Sequence, residues 1–469
     1  MIDPEPTDAE RYPLLTEHGR RMLEFLREHP NAPIFRNQSG NRLTSEDLEA
    51  LRAFDARLQV LAPRWSEGEE PAWLSKYVER CLSTVPHYRD YGRTQARLAE
   101  LPTTSRADLS RDIAAFVPDD VSLKRLINFR TSGTTGHPLL IASHPRVAAT
   151  YLALHKQALR HFGVELRHGR GQVGVVLVGF QRRCFTYASV TPQNDDSGLV
   201  KCNLHPDDWR DPGDRARYLD ALDAEMYTGD PLAFAELMKL PLATRPRALL
   251  STSMALLPAL KQALESRFGC PVLDVYSMNE SGPIAFAVGQ SGRRPAPAHL
   301  VGQSGRRPAP AHLDGELWHL LQPELFVEIL GDAGQALPKG ELGEVTLSGG
   351  FNPWLPLLRY RTGDYARLVF HGKTPLLSGL SGRPPVRFRA ASGEWLNNIE
   401  VTHVLAPFAL AQWTLHQDAG GAITLRTGGG DPQALRATLV GLFGAGAQIS
   451  VDTSASFDDK VRQYTSDLE

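Results

Sequence analysis

Arg130-Thr131-Ser132-Gly133-Thr134-Thr135-Gly136-His137-Pro138 sets small hydroxyl side chains between glycines, and its reading decides how the rest of the chain is understood. Without bulky side chains, the backbone can approach an anion closely. The hydroxyls and N–H groups of Thr131 to Gly136 can then wrap phosphate oxygens. No Gly-Lys-Ser/Thr follows, so the segment is not a Walker A loop. A flexible Ser/Thr/Gly turn is the plain alternative. Gly-Thr-Thr-Gly alone would be read that way, but nine consecutive residues of this kind favour an anion loop.

Outward from the loop, the pattern is α/β. Val173-Gly174-Val175-Val176-Leu177-Val178 and Ala248-Leu249-Leu250 read as buried strands, being short and continuously apolar. Met254 to Phe268 reads as a helix and Val272 to Tyr276 as a further strand. Such alternation predicts a parallel or mixed sheet covered by helices on both faces. Upstream, the region 1–100 reads as mostly helical. Thr44 and Asp47 make a capping-box-like start to a helix whose Leu48, Leu51, Phe54 and Leu58 share one face.

Gly379, Gly382, Pro384 and Pro385 mark a linker. Beyond it, short strands at Trp413 to Leu415, Ile423 to Leu425 and Gln448 to Val451 accompany a helix from Pro432 to Phe443. The expected organisation is a large domain, 1–381, and a small α+β lid, 382–469. Val288 to Leu300 reads VGQSGRRPAPAHL, and Val301 to Leu313 repeats those thirteen residues. A unit so short and so rich in Pro, Gly and Arg cannot stack into a core, so it reads as a duplication within a surface loop.

The 469 residues carry a formal charge of −2 and are 42% hydrophobic. A balance so near neutral gives no electrostatic reason to expect nucleic acid or an anionic membrane as partner. No apolar run is long enough to span a bilayer, and Met1-Ile2-Asp3-Pro4-Glu5 is not a signal peptide, so a cytoplasmic location is expected. Cys81, Cys184, Cys202 and Cys270 have no metal-ligand spacing and read as free structural thiols.

Two further segments complete the case. Asp274-Val275-Tyr276-Ser277-Met278-Asn279-Glu280 ends a buried strand, and Tyr360-Arg361-Thr362-Gly363-Asp364 places a carboxylate after a tight Gly turn. With the loop at Thr131, these resemble, in order, the nucleotide motifs of the adenylate-forming superfamily: acyl- and aryl-CoA ligases, luciferases and adenylation domains of peptide synthetases. The lead-in Gly340-Glu341-Leu342-Gly343-Glu344-Val345 fits as well. The resemblance implies that Tyr276 stacks on adenine, that Glu280 holds Mg²⁺, and that Asn279, where the family usually has Thr, donates to the α-phosphate. It assigns the ribose hydroxyls to Asp364.

Other matches are looser. Ser251-Thr252-Ser253 follows a strand where the family approaches adenine with a short polar turn, although ordinary helix capping explains it equally well. Gly382-Arg383 begins the family's hinge motif, with Pro385 and Val386 in place of its acidic pair. Lys460, within Asp458-Asp459-Lys460-Val461-Arg462, occupies the place of the catalytic lysine, and a solvated surface lysine is its alternative. His137 replaces the usual lysine after the loop. Lys460, Glu280 and Thr135 form the implied catalytic set.

Val85-Pro86-His87-Tyr88-Arg89 and Leu101-Pro102-Thr103-Thr104-Ser105-Arg106-Ala107-Asp108-Leu109 resemble the phenylacetate–CoA ligase-like branch, with its phenazine-antibiotic relatives. Some of that branch carry zinc. None is expected here, because His299 and His312 alone make a poor site. Phe180 to Tyr187 offers aromatic walls and arginines for an aromatic acid, or else a buried aromatic pair with surface arginines.

The resemblance implies ATP and Mg²⁺ as cofactors and a carboxylic acid as substrate. Coenzyme A, a carrier-protein thiol or an amine would be the acceptor. The departures at His137, Asn279, the Pro-Pro hinge and the lysine motif support a competing reading, a non-catalytic or adenylation-only homologue.

Overall fold

The computed structural model describes residues 6–91, 97–130, 139–182, 184–288, 316–382, 386–457 and 461–468. The chain divides into two compact units, one of residues 1–45, 166–274 and 385–469, the other of 46–165 and 275–384.

In the first unit the Val-rich run forms the strand Val173–Gly179, flanked in parallel by Ser197–Asn203 and Met226–Gly229. Ala248–Thr252 continues the parallel set, and Tyr187–Thr191 adds an antiparallel edge. Helices Glu17–Glu28, Asp214–Leu222, Pro231–Lys239 and Pro258–Phe268 contribute Leu26, Tyr218, Phe234 and Leu264 to the same core as the sheet's Val176, Val200 and Leu249. Burial among helices explains why these strands read as continuous apolar runs rather than as alternating ones. The helix expected from Met254 begins at Pro258, where the ring fixes φ at the first helical position.

The same unit holds a four-stranded sheet in the order Ile449–Asp452, Ile423–Thr427, Trp413–Gln417, Tyr464–Ser466. The middle pair is antiparallel and both outer pairings are parallel. Helices Asn398–Leu405 and Pro432–Phe443 pack on it through Val401, Leu405, Leu435 and Phe443.

The second unit is antiparallel. Residues of the strand Val272–Met278 from Val275 onward pair with Gly282–Val288, which pairs with Leu317–Leu320. Thr374–Gly382, Leu357–His371, Leu342–Gly349 and Leu325–Leu330 follow in spatial order. Helix Ser45–Val60 buries Leu51 and Leu58, and its Asp47 pairs with Arg125 at 2.5 Å. Parallel strands in one unit and antiparallel strands in the other make the architecture α/β with mixed sheets, as the alternation of elements predicts. Among the described residues no helix is long and apolar enough to cross a membrane, and all four cysteines are free.

Candidate functional site

Tyr276 and Glu280 enter the second unit from the hairpin joining Val272–Met278 to Gly282–Val288. Asn279 and Glu280 form its turn, with Asn279 exposed and Glu280 5% exposed. The turn closes through Gly282 at φ +68°, where a Cβ would lie 2.5 Å from the Phe351 ring. Only glycine accommodates both the dihedral and the ring.

Asp364 arrives from the far side of the chain, on a deformed stretch of the strand Leu357–His371. Glu344 lies opposite Tyr365 and Thr346 opposite Arg361, so Thr362, Gly363 and Asp364 stand against a single residue, Val345. This bulge interrupts the pairing of Thr362 to Asp364 with the strand Leu342–Gly349, while Asp364 stays opposite Gly382 on the other side, and such bulges are the usual way a strand re-aims side chains at a site. Glu344 holds it. Its Oε1 accepts from Gly363 N at 2.9 Å, and its Oε2 accepts from Arg361 Nε at 2.7 Å. Thr362 Oγ1 donates to Val345 O at 2.8 Å and accepts from Asp364 N at 3.0 Å. Gly363, at φ +78°, makes the turn without a Cβ penalty.

Two contacts bring the motifs together. Tyr276 OH donates to Asp364 Oδ2 at 2.8 Å. Burial, and after it the Asp364 charge, pushes the Tyr276 phenol well above its ordinary value, so it remains a donor at neutral pH. Tyr360 OH donates to Glu280 Oε1 at 3.2 Å, its own phenol raised by burial and then by the Glu280 charge. Arg106 Nη1 also reaches Glu280 Oε1, at 3.3 Å.

Arg106 is positioned by the segment before it. Thr104 docks beside the strand Leu357–His371, its N–H donating to Arg359 O at 3.0 Å and its carbonyl accepting from Arg361 N at 2.8 Å. Buried Arg359 donates to the carbonyls of Ala99 and Leu101 at 3.1 and 2.7 Å and pairs with Glu328. Sequence reasoning gave no role to Arg106, Tyr360 or Glu344. All three lie inside the motif segments at 101–109, 340–345 and 360–364, but nothing in local spacing names their partners.

Ser251, Thr252 and Ser253 end the strand Ala248–Thr252 in the first unit. None caps the next helix, whose N-cap is Leu257. Ser253 adopts φ +72°, and the buried Ser251 hydroxyl has no partner among the described residues. Phe180 packs partly against the core of that unit, whereas Phe185 is 51% exposed. Thr131, Ser132, Gly133, Thr134, Thr135, Gly136 and His137 lie outside the described residues, as do Arg383, Lys460, His299 and His312. The strands on either side of the loop, Ile127–Arg130 and Leu140–Ser143, pair antiparallel with Arg130 opposite Leu140.

No family model matches the sequence, and no curated protein does. Solved structures do match. 2-Hydroxyisobutyryl-CoA ligase in the postadenylation state, bound to 2-HIB-AMP, superposes with a TM-score of 0.58 at 16% identity, over 89% of this chain and 90% of that one. The fold is shared. The same ligase bound to R3-HIB-AMP gives a TM-score of 0.57 over the same shares, also at 16% identity. Its open conformation with 2-HIB-AMP and CoA gives 0.50 at 16% identity, covering 89% and 91%. At this identity the likeness establishes a common architecture along nearly the whole of both chains.

Proposed function

We propose that this protein activates a carboxylic acid as its acyl-adenylate and then passes the acyl group to a thiol or amine. The observation that carries the reading is the meeting of Tyr276 with Asp364 through a 2.8 Å hydrogen bond. Two motifs chosen separately for an adenine-stacking ring and a ribose-binding carboxylate are thereby neighbours. The shared fold with a CoA ligase solved with acyl-AMP bound supports the same assignment.

In the proposed reaction, a carboxylate oxygen of the acid attacks the α-phosphorus of ATP. The bond from that phosphorus to the oxygen bridging the α- and β-phosphates breaks, and pyrophosphate leaves with the electron pair. The Tyr276 ring packs on adenine and Asp364 accepts from the ribose hydroxyls, its orientation fixed by the Tyr276 phenol. Thr131 to Gly136 would cradle the phosphates, with Thr135 in the catalytic set, and Asn279 donates to the α-phosphate. Lys460 neutralises charge that develops as the attacking oxygen bonds. The chain supplies position and charge rather than covalent chemistry. A thiolate of coenzyme A or a carrier protein, or an amine, then attacks the acyl carbon and AMP departs.

Glu280 fits a magnesium ligand. It is a single carboxylate in a recessed turn, its described contacts fall on Oε1 alone, and such ions take one or two carboxylates plus phosphate oxygens. Bound there, Mg²⁺ would neutralise phosphate charge.

Residues 382–469 are proposed as the lid, turning at Arg383, and Ser251 to Ser253 as the polar turn near adenine. The acid is proposed to be aromatic on the strength of Phe180, Phe185 and Tyr187, and a place in secondary metabolism follows the branch resemblance.

ATP–pyrophosphate exchange, run with a panel of aromatic and aliphatic acids, tests the proposal. Exchange that depends on one acid class establishes adenylation. Nucleotide binding without exchange for any acid would favour a non-catalytic adenylate-binding protein, and failure to bind nucleotide overturns both readings. Lys460→Ala is expected to lower exchange by about a hundredfold or more.

A further inference from the structure

In the first unit, the strand Ser197–Asn203 lies inside its sheet, between Val173–Gly179 and Tyr187–Thr191. Lys201 stands on it. Cross-strand pairing sets Tyr187, Lys201, Leu177, Thr228 and Leu250 in one row, and residues of such a row share a face of the sheet. Lysine is ordinary on an edge strand, where it discourages further pairing, but here Tyr187–Thr191 is the edge. The Lys201 side chain is partly buried, and its ammonium meets no carboxylate or other acceptor among the described residues. The acids of its neighbourhood serve other groups. Burial pushes the Cys184 thiol up, and of the charges that act on it Lys201 lowers it while Asp208 and Asp230 raise it. Asp208 accepts from Arg36 Nε at 2.6 Å and from Asn203 Nδ2 at 2.8 Å. Asp230 caps the helix Pro231–Lys239, accepting from Ala233 N at 2.9 Å. A cation drawn partly out of water is unfavourable without a partner, and an anion on a ligand would offset that.

Aromatic surface flanks this ammonium. Tyr187 stands directly opposite Lys201, and its ring meets that of exposed Phe185 with centroids 5.5 Å apart. Three strand spacings, about 14 Å, separate Lys201 from Leu250, which precedes the Ser251 to Ser253 turn proposed to lie near adenine. We infer that Lys201 binds a second anionic group of the acid, remote from the carboxylate that is activated, so that the preferred substrates are aromatic dicarboxylic acids. A plain aromatic acid would leave the ammonium unpaired, which discriminates against it. Lys201 belongs to none of the nucleotide motifs, and the activated carboxylate already has Lys460 as its proposed partner. The inference rests on the proposed acid wall at Phe180, Phe185 and Tyr187, and the experiment separates it from adenylation itself.

Binding of isophthalate and of benzoate is measured by calorimetry for wild type, Lys201→Met and Lys201→Glu, after circular dichroism has verified their folds. ATP–pyrophosphate exchange is followed with the same two acids. Wild type should bind isophthalate about threefold to tenfold more tightly than benzoate. Lys201→Met should bring isophthalate down to the benzoate level, and Lys201→Glu should bind isophthalate more weakly than benzoate. Equal affinity of wild type for the two acids, or a preference that survives in Lys201→Met, overturns the inference even if both acids support exchange. Selective binding of isophthalate without exchange overturns adenylation and leaves the Lys201 site standing. No binding of either acid overturns the inference and the acid wall together. Should the substituted proteins fail to fold, the preference of wild type is measured again at about 1 M NaCl, where an ion pair is screened. The preference should then shrink, and one indifferent to salt refutes the pairing.

Discussion

Tyr276 and Asp364, 88 positions apart, share a hydrogen bond of 2.8 Å between phenol and carboxylate. The bond couples the orientation of a ring to that of an acceptor, so a change in either residue is felt by both. Tyr276→Phe retains the ring and removes the donor. Nucleotide affinity measured by calorimetry is expected to fall about threefold to tenfold, since a hydrogen bond to a charged group contributes about 1.5–3 kcal/mol and only part of that bears on binding. Asp364→Ala should cost more, roughly tenfold to a hundredfold. Equal affinity in Tyr276→Phe and wild type would show that Asp364 is oriented by other contacts.

Glu344 touches no proposed ligand, yet it holds the bulge that presents Asp364. Glu344→Ala leaves the Gly363 N–H and the Arg361 guanidinium without their acceptor. A loss of about 2–4 kcal/mol in urea unfolding is expected, together with weaker nucleotide binding. Stability falling with binding intact would mean that the bulge survives without its anchor.

Gly282→Ala tests the hairpin that carries Glu280. The residue sits at φ +68°, and its new Cβ would press on Phe351. Strain and overpacking together should destabilise the protein by about 2–3 kcal/mol, read as a shifted urea midpoint. Phe351→Leu in the same chain should recover the overpacking part only, because the backbone strain remains.

Acid should destabilise the fold through histidines buried neutral. His144 stacks on Trp354 with ring centroids 4.3 Å apart, and burial, with the Arg125 charge adding to it, lowers it to about 4. Burial, followed by the charges of His161 and His371, lowers His319 to about 4 as well. An unfolded histidine protonates near 6.5. Between these values the unfolded chain binds the additional proton, so stability falls as the pH drops from about 6.5 towards 4. His144→Phe keeps the ring stack and removes one titrating group. The difference between its urea midpoints at pH 5 and 7.5 should therefore be smaller than in wild type, and an unchanged difference would exclude His144 from the acid response.

The sheet strands of the first unit were readable because burial makes them continuously apolar, as in Val173 to Val178. The start of the helix at Pro258 was less so: Met254 to Leu257 have helix-compatible side chains, and proline sets the boundary by its φ. Tyr276, Glu280 and Asp364 could be singled out because each stands in a short motif that resembles a nucleotide motif of the adenylate-forming superfamily. Their partners could not. Arg106 meets Glu280 across 174 positions and Tyr360 meets it across 80, and local spacing carries no trace of pairings that the sheet order creates. The bulge was equally hidden, since the two extra residues in the strand are visible only against the strand it pairs with.

The same separations have a consequence for the order in which the protein comes into being. A growing chain that has reached Glu280 already contains Arg106, but the phenol that completes the carboxylate's surroundings is added only with residue 360, and the carboxylate that meets Tyr276 four residues after it. Until then Glu280 has no reason to leave water. Contacts of such long range also form slowly in a complete chain, because loop closure must precede any gain from them. During synthesis the proposed nucleotide site is therefore completed late, and a ribosome-bound fragment ending before Tyr360 would carry most of the proposed binding residues without being able to gather them.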